Sequence, residues 1–417
     1  MPIPTPAQRD TILTVAISGG GPAGLAAAIA LLAIPGVQVT IYEQARALRE
    51  IGAGLRVGFN SWRVLELLGV DQQVHGHKKV VHEHRDGTTG ELQYRYPPHF
   101  GPDKYHEIRA RRTVLQKALI DALPPDVVKL KKRLVALEQL AKGRARLAFE
   151  DGTFADADLV IGADGIRSAV RKATYPAYET QYNGTTIWRT LVPLSTVQHL
   201  DLVKSTCFHH GPNTTFKCSI VSNPEEVVAG EGLWEMTLRH REDPTKATGK
   251  KFSWGIPATN ERVASHFTAF TAQIREAIQL VPEGQWREFS AFSGSCLEHV
   301  TANDNTLLIG DASHPMLGAF GSGAAFAMQD GWLFAQALDH YLVSRQLPTR
   351  EALTAALKLF DEVRGPYYHR MYEYMARPDA DLSGKFSTQS PDPRGPLYWV
   401  FGHDIGEEWE KVRAGLD

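Results

Sequence analysis

The order of apolar and polar positions near the start of the chain predicts a strand, a helix and a second strand. The apolar run from Ile12 to Ile17 is rich in β-branched residues and has the length of a buried strand. The segment from Leu25 to Ala33 is rich in Ala and Leu, as buried helices are, and Val37 to Tyr42 again has the composition of a strand. This alternation predicts an α/β fold with a parallel sheet.

Two later strands of the same kind end in polar turns. Leu159 to Ile161 runs into Gly162-Ala163-Asp164-Gly165, and Leu307 to Ile309 runs into Gly310-Asp311. Ligands of α/β proteins bind outside the carboxyl ends of parallel strands. We therefore expect Asp164 and Asp311 to lie at one edge of the sheet, in a site.

The segment from Tyr182 to Phe292 has a different pattern. Its β-branched and aromatic runs are separated by Gly, Pro and Asn, which predicts an antiparallel sheet. The run from Val80 to Tyr96 alternates like a hairpin, and we interpret it as an excursion into this second sheet. The segment from Arg350 to Asp417 is predicted to be helical and to pack on the outside.

Bulk composition narrows the class of protein. The chain has 417 residues and a net charge of −2, so its charge gives no reason to expect nucleic acid or an anionic membrane as a partner. It has neither an apolar run of transmembrane length nor a typical signal peptide, which predicts a cytoplasmic protein. Cys207, Cys218 and Cys296 form no C-x-x-C pair and suit a reducing compartment. No metal ligands are assigned.

The turn after the first strand reads G-x-G-x-x-G. In this context Gly19 allows a tight turn, Gly21 lets the backbone approach a pyrophosphate, and Gly24 lets the helix pack closely. Glu43 follows the second strand, where a carboxylate would meet a ribose hydroxyl. The pattern indicates a bound dinucleotide, with an ordinary βαβ turn as the alternative.

Two groups of arginines also suggest binding. The start of a predicted helix carries Arg109, Arg111 and Arg112. Cations at this end oppose the helix dipole, so we expect an anionic partner to compensate their charge. The alternative is a basic patch that is solvated and has no ligand. Arg189 lies inside an aromatic-rich strand. It is either a solvent-facing structural residue or the cation of a pocket lined by aromatic rings.

Three motifs in a fixed order resemble those of the single-component FAD-dependent aromatic hydroxylases, the family of p-hydroxybenzoate hydroxylase, and most of all its salicylate hydroxylase-like branch. The resemblance runs from about Ile12 to Ala337. The motifs are Gly19-x-Gly21-x-x-Gly24, Gly162-Ala163-Asp164-Gly165 with Arg167-Ser168, and Gly310-Asp311-Ala312-Ser313-His314-Pro315.

The resemblance implies a Rossmann-like FAD-binding domain of the p-hydroxybenzoate hydroxylase type. An antiparallel β-sheet substrate domain is inserted into it, and helices follow at the C-terminus. We divide the chain into a first part of the FAD-binding domain at 1–178, with the excursion at about 78–100, a substrate domain at 179–295, a second FAD-binding part at 296–345 and a helical region at 346–417.

The resemblance also assigns roles to single residues. At the adenosine end, the implied contacts are Gly19, Gly21 and Gly24 with the FAD pyrophosphate, Glu43 with the ribose, Leu134 near the adenine, and Arg112 with FAD. Toward the flavin, they are Asp311 with the ribityl or pyrophosphate part, Gly323 and Ala324 near the isoalloxazine, and Gly52 and Gly54 over the flavin. Asp164 and its turn would support both FAD and NAD(P)H binding, and Arg189 would bind a substrate phenolate.

The implied enzyme is a monooxygenase that binds FAD non-covalently and uses NADH or NADPH and O₂. A flavin C4a-hydroperoxide would hydroxylate a small phenolic or heteroaromatic substrate, and a homodimer is a possible assembly. One alternative is a flavin-dependent halogenase, because the stretch from Phe252 to Pro257 is similar to that family's W-x-W-x-I-P. The other is a non-catalytic flavoprotein-like scaffold.

The chain departs from the family in the loop beside the flavin and in the pocket. Gly318 stands where the family usually has proline, and Phe320-Gly321 where it often has Gln-Gly. The family's pocket tyrosine has no evident counterpart. His209 or His210 could supply a polar contact instead, and His210 is our candidate catalytic residue beside Arg189. These departures leave the identity of the substrate open.

Overall fold

The structure is a computed structural model that describes residues 13–47, 54–79, 81–96, 102–247, 253–316, 318–377 and 397–416. Gly52 and Phe252, which carried two of the predictions, lie outside these residues. Among the helices in these ranges, none has the length and apolar character needed to cross a bilayer.

The strands are numbered in chain order. They are β1 (Leu13–Ser18), β2 (Val37–Tyr42), β3 (Gly54–Val57), β4 (His77–Lys78), β5 (His82–Asp86), β6 (Leu92–Tyr96), β7 (Ile108–Arg111), β8 (Val128–Lys129), β9 (Leu134–Gln139), β10 (Ala145–Phe149), β11 (Phe154–Ala157), β12 (Leu159–Gly162), β13 (Gln181–Pro193), β14 (Cys207–His210), β15 (Thr214–Ile220), β16 (Leu233–Arg241), β17 (Trp254–Ala258), β18 (Trp286–Ser293), β19 (Thr301–Ala302) and β20 (Thr306–Leu308).

The α-helices are numbered in the same way. They are α1 (Pro22–Leu32), α2 (Phe59–Leu67), α3 (Arg112–Asp121), α4 (Ala169–Thr174), α5 (Leu194–Val197), α6 (Pro224–Val228), α7 (Asn260–Ala264), α8 (Ala272–Gln279), α9 (Gly323–Asp339), α10 (Thr349–Ala376), α11 (Tyr398–Phe401) and α12 (Ile405–Ala414).

The predicted parallel sheet is present and has the strand order β19-β20-β12-β1-β2-β8. All of its pairings are parallel except that of the edge strand β19 with β20. Because β1, β12 and β20 run side by side in one direction, the three motif turns that follow them leave the same edge of the sheet. Helices α1 and α9 pack so closely that a Cβ atom on Gly331 would lie 2.7 Å from the backbone of Ala27.

The predicted antiparallel sheet has eight strands in the order β17-β18-β13-β16-β15-β14-β5-β6. Strands β5 and β6, from the predicted excursion, extend it at one end. Alternate residues of a strand point to opposite faces. One face carries buried Trp188, Trp234 and Met236, which pack with apolar residues of α7 and α8 such as Val263 and Ile274.

The other face of this sheet turns toward a small sheet of β3, β7 and β4. Glu235 of β16 accepts a 2.9 Å hydrogen bond from the backbone N–H of Gly54 in β3 and forms an ion pair with Arg109 of β7. Arg111, the residue before α3, forms an ion pair with Glu226. For Arg109 and Arg111, the expected anionic partners are thus carboxylates of the protein itself.

A buried polar cluster joins the two longest helices to the turn after β20. Asp330 of α9 bonds the backbone N–H of Gly310 at 3.0 Å and lies 2.9 Å from His314 Nε2. Its other oxygen takes hydrogen bonds from Arg364 and Tyr368 of α10. Asp330 and Arg364 have no solvent exposure, so the pair holds the turn and both helices in one arrangement.

Candidate active site

The glycine turn is built by close backbone contacts. Gly19 has a φ of +110°, and a Cβ atom there would lie 2.4 Å from the carbonyl oxygen of Ala163. A Cβ atom on Gly24 would lie 2.1 Å from the carbonyl oxygen of Gly19. At Gly21, by contrast, no atom of the described residues beyond Gly21 and its two chain neighbours lies within 4 Å of that position. Space is therefore left where a pyrophosphate was predicted, at the start of α1.

Glu43 closes the far side of this turn. Its carboxylate accepts hydrogen bonds of 2.7 Å from the backbone N–H groups of Gly20 and Ala45. A carboxylate has about four lone-pair positions, so these two bonds leave acceptor capacity for a ribose hydroxyl. Leu134 is buried at the start of β9, and Lys132 N–H donates to the Glu43 carbonyl oxygen at 2.8 Å. The predicted ribose and adenine contacts are thus neighbours.

The second motif turn is tied to the third by Arg171. Asp164 accepts a 2.7 Å hydrogen bond from the backbone N–H of Ala169, at the start of α4. Arg171 donates hydrogen bonds of 3.1 Å and 2.7 Å to the carbonyl oxygens of Asp311 and Ala312. Helix α4 begins after Ser168, its N-cap, whose side-chain oxygen accepts a hydrogen bond from the backbone N–H of Arg171.

Asp311 lies beside a space that is open to solvent and bordered by protein, which we call the cleft. Its side chain is exposed, yet surrounding protein raises the pKa of its carboxyl by desolvation, while His314, Arg112 and Arg171 oppose that rise. Arg112 also lowers the pKa of Arg189. Arg112 is therefore close enough to Asp311 of the third motif and to Arg189 of strand β13 to interact electrostatically with both.

The loop before α9 has an unusual backbone. Gly318 has φ +70° and Gly321 has φ +60°, and between them the buried Phe320 has φ +62°. Proline is confined to a φ near −65°, so the departure from the family's proline at Gly318 is a change of backbone conformation. The left-handed conformation of Phe320 costs about 1–3 kcal/mol. A Cβ position on Gly323, at the start of α9 and before Ala324, has no atom of the described residues within 4 Å apart from its chain neighbours and the nearby backbone of its own helix.

Cross-strand pairing places basic residues in one row on the polar face of the eight-stranded sheet. Arg189 of β13 and Lys217 of β15 are both direct partners of Thr237 in β16, so the three side chains share a face. Arg239, two residues after Thr237, lies on this face as well and is exposed. Thr237 is short, and it lies between two long basic side chains.

Arg189 is a cation with few partners. Its Nε is buried without a hydrogen bond to any described residue, and its guanidinium lies 5.7 Å over the ring of Phe289. Burial lowers the pKa of Arg189 to about 10, and the nearby arginines 239, 109 and 112 lower it further, while Glu235 opposes them. Because Glu235 already pairs with Arg109, a bound anion would stabilise this group of cations.

The two histidines considered for the pocket lie on opposite faces. His209 is buried in the apolar core against Phe216, and burial lowers its pKa to about 4. His210 lies on the polar face, where its Nε2 is 2.8 Å from His84 Nδ1. Strand β14 is three strands from β13, a distance of roughly 14 Å. The structure therefore does not bring His210 and Arg189 together.

A family model described as an FAD binding domain matches residues 13–347. The chain belongs to this family of FAD-dependent monooxygenases. The 3-amino-4-hydroxybenzoate 2-monooxygenase PtnB3 of Streptomyces platensis is 31% identical over 332 residues, which are 78% of this chain and 79% of that protein. The 6-methylsalicylate 1-monooxygenase atA of Aspergillus terreus is 28% identical over 345 residues, 76% of this chain and 73% of that protein.

The fold agrees with this membership. A salicylate hydroxylase in a substrate complex superposes with a TM-score of 0.76 at 21% identity, over 96% of this chain and 98% of that one. The predicted fold class, enzyme class and FAD cofactor are confirmed. Trp254 of the halogenase-like stretch lies in the edge strand β17.

The residues present fit FAD. The open backbone positions at Gly21 and Gly323 lie at two helix starts, and Asp311 is exposed in the cleft near Arg112. The structure places Gly19, Gly24, Glu43, Leu134 and Asp164 around the same edge of the parallel sheet. Gly54 lies against Glu235 on the substrate side. The individual contacts with FAD stay predictions.

Several polar residues of the site were not predicted from the sequence. Strand β16 alternates apolar Trp234, Met236 and Leu238 with polar residues at 235, 237 and 239. That alternation is a visible sign of a strand with one polar, ligand-facing side. The residues missed were Lys217, Glu235, Thr237 and Arg239.

Proposed function

We propose that the protein hydroxylates a phenolic aromatic compound that it binds as the phenolate, with NADH or NADPH as reductant. When bound, FAD supplies the chemistry that reduces O₂ and transfers one of its two oxygen atoms to the ring. The observation that carries the proposal is Arg189, a buried guanidinium short of partners that lies near Arg112 on the cleft side of the sheet.

The charge of the site supports an anionic substrate. Three cations interact with one buried carboxylate, Glu235: they are Arg109, Arg189 and Lys217. Removing an unpaired cation from water is costly, and a bound phenolate or carboxylate compensates that cost. The names of the two relatives above describe benzoates with a ring hydroxyl group, which is the chemistry that such a site would bind.

The protein's own residues have three tasks in this reaction. Arg189 orients the ring through its phenolate oxygen and favours the ionised form, which is the more electron-rich one. The buried Phe320 packs against Phe326 and Tyr374 and so anchors the loop before α9, which in this proposal helps to exclude water. The glycine turn and Arg112 fix the position of the cofactor relative to Arg189.

The proposal is tested by adding phenols, salicylates and hydroxylated heteroaromatics to the FAD-loaded protein with NADH or NADPH. We expect some of them to accelerate oxidation of the nicotinamide and to gain one oxygen atom, measured by mass spectrometry. A product that is brominated in a bromide-dependent way, or the absence of oxygenated product from the whole panel, would contradict it.

A further inference from the structure

Binding a phenol as its phenolate requires a proton acceptor. Arg189 is protonated even with its lowered pKa and cannot accept a proton at neutral pH. Glu235 is a poor base, because its ion pair with Arg109 helps to hold its pKa at about 2 against the effect of burial. His210 lies roughly three strand spacings away from Arg189. The acceptor must come from elsewhere on the polar face.

Lys217 is placed for this task. It is the cross-strand partner of Thr237 on the side opposite to Arg189, so the two basic side chains flank one short residue. Their Cα atoms are about two strand spacings apart, roughly 10 Å, which the two long side chains can span toward a single hydroxyl group. The amine has no hydrogen bond to any described residue, and its nearest carboxylate oxygen, on Glu235, is 3.9 Å away.

The surroundings of Lys217 favour its neutral form. Its side chain is 17% exposed, enough for a ligand to reach it from the cleft. Burial lowers its pKa well below the ordinary value. The pKa is lowered further by three nearby cations, Arg109 of β7, Lys79 after β4 and Arg189 of β13. Glu235 of β16 opposes this effect. The remaining neighbour is the ring of Phe208 on β14, 5.7 Å from Nζ.

We propose that Lys217 is the general base that takes the proton of the phenolic hydroxyl, while Arg189 binds the phenolate oxygen. The O–H bond of the phenol breaks, its electron pair stays on the oxygen, and the proton converts the amine into an ammonium group. After oxygen transfer the hydroxylated ring carbon loses its hydrogen as a proton to water, which restores the aromatic ring, and the ammonium group returns its own proton to the phenolic oxygen of the product. This inference rests on the proposed function and adds a second catalytic residue to it.

The proposal predicts a specific proton balance. When a phenol binds to the FAD-loaded protein without reductant and without O₂, its absorption should shift to that of the phenolate. No proton should enter the solution, because Lys217 keeps it. A pH-indicator dye in weak buffer measures the released protons at the same time as the absorption.

Lys217→Met should bind the same phenol in its neutral form at pH 7, or release one proton for each phenolate formed. Its hydroxylation rate should fall about 100-fold or more, which is the usual contribution of a general base. The rise of kcat/KM with pH that reports the neutral amine should be absent. Lys217→Gln serves as a second variant if the methionine variant does not fold, and Lys246→Met, at an exposed position, is the matched control.

Lys217→Arg separates a base from a charged anchor. An arginine keeps the cation but cannot accept the proton, so the account predicts that it is as impaired as the methionine variant. Recovery of the wild-type rate and pH profile by Lys217→Arg, or a wild-type proton balance in Lys217→Met, would overturn the assignment. The proton count needs no turnover. A wrong proton count would therefore overturn the role of Lys217, whereas a wild-type enzyme that oxygenates no phenol would overturn the proposed function.

Discussion

A methyl group on Gly19 would lie 2.4 Å from the carbonyl oxygen of Ala163, so the first and second motif turns pack backbone against backbone. The glycine turn is therefore shaped by the neighbouring strand β12 as well as by its own sequence. Gly21, two residues later, has open space at the corresponding position among the described residues. Two glycines of one motif thus have different physical reasons to be glycine.

Gly19→Ala and Gly21→Ala should separate folding from cofactor binding. The first adds a clash and a strained φ, and we expect it to lower the free energy of unfolding of the FAD-free protein by about 1–3 kcal/mol. The second should leave that free energy nearly unchanged and weaken FAD binding. Urea unfolding and fluorescence titration with FAD measure the two effects. Equal loss of stability in both variants would show that the open space at Gly21 has no role.

Asp330→Asn should destabilise the protein by about 3–5 kcal/mol, because it leaves the buried Arg364 without its carboxylate. Asp339→Asn at the end of the same helix is the control. Asp339 is partly exposed, and its removal should change stability by about 0.5 kcal/mol or less. Denaturant unfolding of both variants measures the difference. If Asp330→Asn lost no more stability than the control, the cluster would not hold α9, α10 and the turn together.

Stability should fall as the pH is lowered from about 4.5 to 2, in part because of Glu235. Its pKa is about 2 in the folded protein, below the ordinary value of 4.5, so the unfolded chain binds more protons in this window. The stabilisation is complete above the window, lost within it, and of the order of 3 kcal/mol. Glu235→Gln should flatten this part of the stability curve, measured by unfolding at several pH values. An unchanged slope in the variant would mean that Glu235 is not held as an ion by Arg109.

Gly318→Pro, which restores the family's usual residue, should impair this enzyme. Proline cannot adopt the φ of +70° found at Gly318, so the loop that carries Phe320 would have to change its conformation. We expect more H₂O₂ and less hydroxylated product for each NAD(P)H oxidised, with FAD affinity little changed. Gly318→Ala tolerates this φ better and should lie between the two. A proline variant with normal coupling would show that the loop does not limit access of water.

The sequence predicts the fold well because the evidence for it is local. The parallel strands, the glycine turn and the antiparallel runs each depend on residues that are close in the chain, and all three are present. Boundaries were less accurate. Helix α2 begins at Phe59 after Gly58, ahead of Asn60 and Ser61, which are the residue types that favour a helix N-cap.

The candidate site was harder to predict, since it depends on contacts between distant segments. Whether Arg189 faced the solvent or a pocket could not be decided until its pairing with Thr237 was known. Lys217 and Glu235 could not be recognised as site residues from the sequence, because a charged residue in a strand is ordinary unless its cross-strand neighbours are also polar. The link between Asp330 and Arg364 joins helices that are separated in the chain, and no short motif marks it.

Arg189→Ala tests the central claim, that this residue holds the phenolate during hydroxylation. The variant should fold and bind FAD like the wild type, because Arg189 has no hydrogen bond or ion pair with the described residues for its removal to break. The rate of substrate hydroxylation should fall about 100-fold or more. Arg287→Ala is the matched control. Arg287 is the partner of Arg189 on β18, and its guanidinium bonds the carbonyl oxygens of Gly284 and Trp286.

The most direct measurement is the incorporation of ¹⁸O from ¹⁸O₂ into one phenol, compared between the wild type, Arg189→Ala and Arg287→Ala at matched FAD occupancy. The account predicts about one labelled oxygen atom per NAD(P)H oxidised in the wild type and the control, and little labelled product in Arg189→Ala. Normal labelling by Arg189→Ala, or no labelled product from the wild type with any phenol of the panel, would contradict it.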